Sequence, residues 1–159
     1  MKKKEKELKR RYGKLAEGME AYYDHLDLRF FSEMEDDGFA YIMTRVKGVN
    51  MLDLNETMIS NESIALLTKL DTVKELRLKG CHLVDDGCIP HLNQLTQLEF
   101  LHLNHTGVTL DGLLKLTALT RLHTLLFSVA DESGIGEKMT QLGLNFPACA
   151  FVVNSKPYS

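Results

Sequence analysis

One spacing of apolar residues returns along most of this chain and limits what it can fold into. From Val73 the apolar positions are Val73, Leu76 and Leu78, then Cys81 and Leu83, then Ile89, Leu92 and Leu95; at Leu98, Leu101 and Leu103 the series begins again. The apolar pair separated by one residue opens at residues 26, 52, 76, 101, 125 and 151, giving intervals of 26, 24, 25, 24 and 26. Such a period holds a short strand, a turn and a helix of about two to three turns. Alternate strand residues face opposite ways, so each pair buries two side chains and displays the one between them. Parallel strands need crossover connections, which places helices over the buried face.

The units can be followed in order. Leu26, Leu28, Phe31, Phe39 and Ile42 form a worn first copy, and Val49, Leu52, Leu54, Thr57, Ile59, Ile64, Leu67 and Leu70 a clear second. The third runs from Val73 and the fourth from Leu98 through Leu119. The fifth begins at Leu122 but carries Ser133, Gly134 and Gly136 where its helix is due, so a looser unit is expected. Phe151 and Val153 predict a closing edge strand, ended by polar Asn154, Ser155, Lys156 and Pro157. Helix starts are marked by Ser60, by Asp85 with Asp86, and by Thr109, each supplying a capping oxygen to free backbone N–H groups.

Residues 1–21 differ from the rest. Lys2, Lys3, Lys4, Lys6, Lys9, Arg10, Arg11 and Lys14 surround Leu8, Tyr12, Leu15 and Met19, which recur at helical spacing. Two roles are open to such a helix: a cap over the exposed end of the repeat stack, or a basic docking arm for anionic lipid or nucleic acid. The organisation is therefore a 1–21 cap or arm followed by a 22–159 repeat domain.

Bulk properties narrow the function. With 159 residues, 44% of them hydrophobic, the chain fits one core. A net charge of -3 and a pI near 6.1 give no global attraction to nucleic acid or membrane, making both unlikely partners outside the N-terminal patch. Cys81, Cys88 and Cys149 show no metal-like spacing and are expected to be reduced; with no apolar run of membrane length, the expected location is cytoplasmic.

The spacing L-x-x-L-x-L-x-x-[N/C]-x-L resembles the leucine-rich-repeat signature. Thr57, Cys81 and Thr106 at the turn, with DDG at 85–87 and LDG at 110–112, resemble the ribonuclease-inhibitor and cysteine-containing types. The stretch VKELRLKGCHLVDDGCIPHLNQL is also similar to the central repeats of the mitochondrial ATP synthase coupling factor B group. Trp is absent here and the start mixes Lys with Glu, so the mitochondrial role is not carried across. The resemblance implies an α/β leucine-rich-repeat solenoid of about five short repeats, with a parallel concave sheet, convex helices and an N-terminal helical cap. It also implies a non-enzymatic module that binds a protein partner, of unknown identity, on the sheet.

The displayed positions give the candidate site. One column reads Asp27, Asp53, Arg77, His102, Leu126 and Val152; the next reads Arg29, Asn55, Lys79, Asn104, Ser128 and Asn154; a flanking column reads His25, Met51, Glu75, Phe100, Thr124 and Ala150. Neighbours in a column stand about 4.8 Å apart. Asp53 is expected to pair with Arg77, and an exposed Phe100 to act as an interface anchor. The partner-binding residues are thus Asp53, Asn55, Glu75, Arg77, Lys79, Phe100, His102 and Asn104. No small-molecule substrate, cofactor or metal is expected. His102 and His105 face different sides, the other histidines are dispersed, and there is no phosphate-binding glycine loop or G-x-S-x-G elbow. Cys88 occupies a core position, equivalent to Ile64 and Leu113.

Overall fold

The computed structural model describes residues 2–159; Met1, the first residue of the 1–21 segment, lies outside them. The chain runs α1 (Lys2–Glu17), β1 (Tyr22–Asp27), α2 (Asp36–Ile42), β2 (Gly48–Asp53), α3 (Asn61–Leu67), β3 (Thr72–Arg77), α4 (Ile89–Leu92), β4 (Phe100–His102), α5 (Leu110–Leu113), β5 (Thr124–Phe127), α6 (Gly136–Asn145), β6 (Ala150–Val153) and β7 (Lys156–Pro157). Short 3-10 turns follow α2 and precede α4.

The strands form one seven-stranded sheet in sequence order, parallel from β1 to β6 and antiparallel between β6 and β7. Sheet neighbours are also chain neighbours, and crossovers between parallel strands share one hand. Every connection therefore passes over the same face. The helices stack along that face, α1 on α2, α2 on α3, α3 on α4 and α5 on α6. Between them and the sheet lie Leu52, Leu54, Leu76, Leu78, Leu101 and Leu125, each fully buried. The register joins Leu26 to Leu52, Leu52 to Leu76, Leu76 to Leu101 and Leu101 to Leu125.

Small donors tighten the turn after the strand. Thr57 Oγ1 donates to the Leu54 carbonyl at 2.8 Å and Thr106 Oγ1 to the Leu103 carbonyl at 2.8 Å; the Cys81 thiol reaches Leu54 O at 3.1 Å. Burial, with Asp86 and Asp85 nearby, pushes the Cys88 thiol up to about 12. A thiol held protonated is a poor nucleophile, which leaves Cys88 a packing residue.

Three expectations need correction. Two helices are shorter than two to three turns: α4 and α5 have 4 residues each, about one turn, whereas the 7 residues of α2 and of α3 make about two. Tight i to i+3 bonds take over instead, as at Leu95 N to Leu92 O, Leu98 N to Leu95 O and Leu116 N to Leu113 O. They turn a leucine inward while the chain returns to the next strand. The fifth unit is not simply loose, for after Asp131 accepts from Ser133 the chain enters the ten-residue α6, which buries Met139 and Leu142. Finally, β6 is not the edge. Asn154 (φ 50°) and Ser155 (φ 66°) make a two-residue turn with both residues left-handed, which folds Lys156–Pro157 back as an antiparallel partner.

The apolar stripe of α1 is turned inward. Tyr12 and Met19 are buried, Leu8 and Leu15 pack against the core, and the Tyr12 ring meets Phe31 edge-on at 5.8 Å. Lys4 pairs with Asp37, and Arg11 with Glu33 at 3.7 Å, so part of its basic surface meets acidic residues in the first turn of α2 and in the loop before it. No helix among the described residues is long and apolar enough to cross a membrane.

Candidate functional site

The face opposite the helices carries two of the predicted columns in register, Asp53 beside Arg77, Arg77 beside His102, His102 beside Leu126, and Glu75 beside Phe100, while the column of Asn55, Lys79 and Asn104 falls just past the strand ends. Their side chains sort differently from the simple columns. Arg77 does not pair with Asp53. Its guanidinium lies over the Phe100 ring, 4.4 Å from the centroid, and is 3.6 Å from Glu75 on its own strand. Phe100 is consequently half-buried beneath a cation instead of standing exposed.

Asp53 is taken up by the first unit. It is only 5% exposed; its Oδ1 accepts from Asn55 N at 3.1 Å and its Oδ2 lies 3.3 Å from Arg29 Nε. Arg29 also holds Asp27 through Nε and Nη2, and this hydrogen bonding draws the Asp27 carboxyl down to about 2. The acidic end of the face is therefore satisfied internally, and Arg29, which was not among the predicted binding residues, is what satisfies it. Asn55 also serves the scaffold, its Oδ1 accepting from Lys79 N at 2.8 Å.

The centre of the face is not satisfied. Both ring nitrogens of His102, Asn104 Oδ1 and Glu75 Oε2 are buried without a hydrogen-bond partner within the protein. Asn104 is only 4% exposed. Buried polar atoms of this kind are uncommon because each forfeits its hydration. Burial, reinforced by Arg77 and Lys79, holds the His102 imidazole below its ordinary range, with Asp53 pulling weakly the other way. Lys79 is exposed and forms no ion pair among the described residues. Beyond His102 the face becomes apolar through the half-exposed Leu126 and Val152. Glu75, Arg77, Phe100, His102, Asn104 and Lys79 are thus brought together, while Asp53 and Asn55 are bound into the frame.

No family model matches the chain, and no curated protein matches it. Among the described residues no group of three or more His, Cys, Asp or Glu side chains is placed to hold a metal.

A second row of polar residues runs along the helix starts. Asp36 accepts from Ser60 N at 2.8 Å, Ser60 Oγ at 2.5 Å and Ser63 Oγ at 2.5 Å. Asn61 exchanges bonds with Asp85, and Asp86 accepts from Thr109 N and Oγ1. In each case the first residue of one unit's helical segment holds the capping residue of the next. The signal was present in the sequence as residues 36, 61 and 86, a constant interval of 25. The row lapses at α5, whose first residue is the apolar Leu110; Asp111, one place on, meets Lys138 at 2.7 Å instead. An open cleft of about 710 Å³ lies there between the β4–α5 and β5–α6 loops, lined by His105, Thr109, Asp111, Asp131 and Lys138 among others.

Proposed function

We propose that this chain is a short leucine-rich-repeat solenoid that acts as a non-enzymatic binding module for a protein partner. The partner is taken on the sheet face around Arg77, Phe100 and His102. The repeat reading is supported by the interval of about 25 residues, the one-sided helices and the in-register leucines. The observation that carries the binding reading is the group of buried, unpartnered polar atoms at the centre of an otherwise uncovered face. These atoms are closed to water, so a partner supplies their hydrogen bonds only together with a side-chain rearrangement that opens them, and doing so removes a desolvation penalty already present in the free protein. The adjoining Phe100, Leu126 and Val152 offer apolar area, and an aromatic with an arginine beside it is a common composition for an interface centre. The alternative role for α1, docking on anionic lipid or nucleic acid, has less support because its apolar stripe is used on the core.

Leu126→Glu places a carboxylate on the apolar part of the face without touching a fully buried position. Capture of the native partner from lysate by this variant, compared with wild type at equal folded concentration, is expected to be lost. Undiminished capture contradicts the face.

A further inference from the structure

The face is uneven in its charge. At one end, Asp27 and Asp53 have their oxygens occupied by Arg29 and by backbone N–H groups. At the centre the donors are the under-used groups. Lys79 is exposed without an ion pair, Arg77 has Glu75 only at 3.6 Å, and neither His102 ring nitrogen is engaged. Both ring nitrogens of His102 are buried, so Arg77 and Lys79 are the donors that the surface presents. Arg77 and His102 lie directly opposite each other on adjacent strands, and the exposed Lys79 is in the turn two residues beyond Arg77. They form a donor surface with Phe100 as its floor.

We infer that the partner presents an acidic peptide segment to this surface, its carboxylates meeting Arg77 and Lys79 beside the buried His102 ring. The inference rests on the protein-binding reading above and specifies its chemistry. A guanidinium already flattened on an aromatic ring has lost part of its rotamer freedom, so an incoming carboxylate orders less of it. Glu75, the acid at the centre, is the element that opposes an acidic ligand, and the amide of Asn104 lies next to the same place. Charge complementarity of this kind governs association and partner choice.

The test uses the full chain and fluorescein-labelled deca-glutamate and deca-lysine peptides, followed by anisotropy at low and physiological salt. The glutamate peptide is expected to bind with an affinity that falls as salt rises, and the lysine peptide is not. Arg77→Gln with Lys79→Gln should weaken the glutamate peptide about tenfold, while Glu75→Gln should tighten it. The exposed lysines of α1 are a competing anion surface, so a variant with Lys2, Lys3, Lys6 and Lys9 changed to Gln should bind as wild type does. Loss of binding in that variant, or equal binding by the Arg77/Lys79 variant, overturns the inference. If Leu126→Glu abolishes capture of the native partner yet the glutamate peptide does not bind, the acidic chemistry is wrong and the face is right. If capture is indifferent to Leu126→Glu, both readings fall.

Discussion

The Arg77 guanidinium lies 4.4 Å from the centroid of the Phe100 ring on the neighbouring strand, and this contact replaces the ion pair with Asp53 that strand register alone would allow. The ring offers a flat, partly desolvated surface, and Asp53 is already held by Arg29 and Asn55 N. Phe100→Leu keeps much of the apolar area and removes the quadrupole. It should lower stability by about 1 kcal/mol in denaturant unfolding, with a coupling of about 0.5–1 kcal/mol to Arg77→Ala in a double-mutant cycle. Additive losses would mean that the stacking contributes nothing.

His102 makes stability depend on pH. Burial depresses the pKa of the folded imidazole, and Arg77 and Lys79 act in the same direction, outweighing Asp53. As pH falls below the ordinary value of 6.5, the unfolded chain takes up this proton before the folded one does, so the contribution to stability is lost on acidification and level above that pH. Unfolding free energies measured from about pH 7.5 to about pH 5.5 should decline more for wild type than for His102→Gln. Parallel curves would remove His102 as the cause.

Asp36 ties two units together. Burial alone would raise its pKa, but the hydrogen bonds from Ser60 and Ser63 prevail and lower it. The folded carboxylate is therefore favoured, and the stability it provides is present above the ordinary 3.8 and lost as pH falls through the lowered value. Asp36→Ala should destabilise the chain by about 1–3 kcal/mol, measured by chemical denaturation at neutral pH. Asn61→Ala, which breaks the equivalent tie to Asp85 at a more exposed position, should cost less.

Much of the backbone was legible in the sequence, because one period governs where each strand opens and every buried leucine reinforces it. Leu52, Leu76 and Leu101 align across three strands as that period requires. Helices α4 and α5 fall short of the expected length because their 24- or 25-residue units return to the sheet through tight turns at Leu95 and Leu116, and apolar spacing does not distinguish such turns from helix. Strand β7 escaped notice since Lys156 and Pro157 have no strand character of their own and pair only because Asn154 and Ser155 reverse the chain. At the candidate site the columns were legible but the choice of partners was not. Arg29 and Arg77 are both long enough to reach Asp53, and which of them does so depends on where Phe100 and Asp27 attract the other. The row at 36, 61 and 86 was visible as an interval but mixes Asp with Asn, and so reads at first as separate helix caps.

The most direct measurement is capture of the native partner by immobilised full-length chain carrying Arg77→Glu and Lys79→Glu, beside wild type and the variant neutralised at Lys2, Lys3, Lys6 and Lys9, all with matched thermal melts. Recognition through the sheet face predicts that the partner is lost from the Arg77/Lys79 variant and retained by the α1 variant. Retention by the former with loss from the latter would move the binding surface from the sheet to the N-terminal helix and contradict the account.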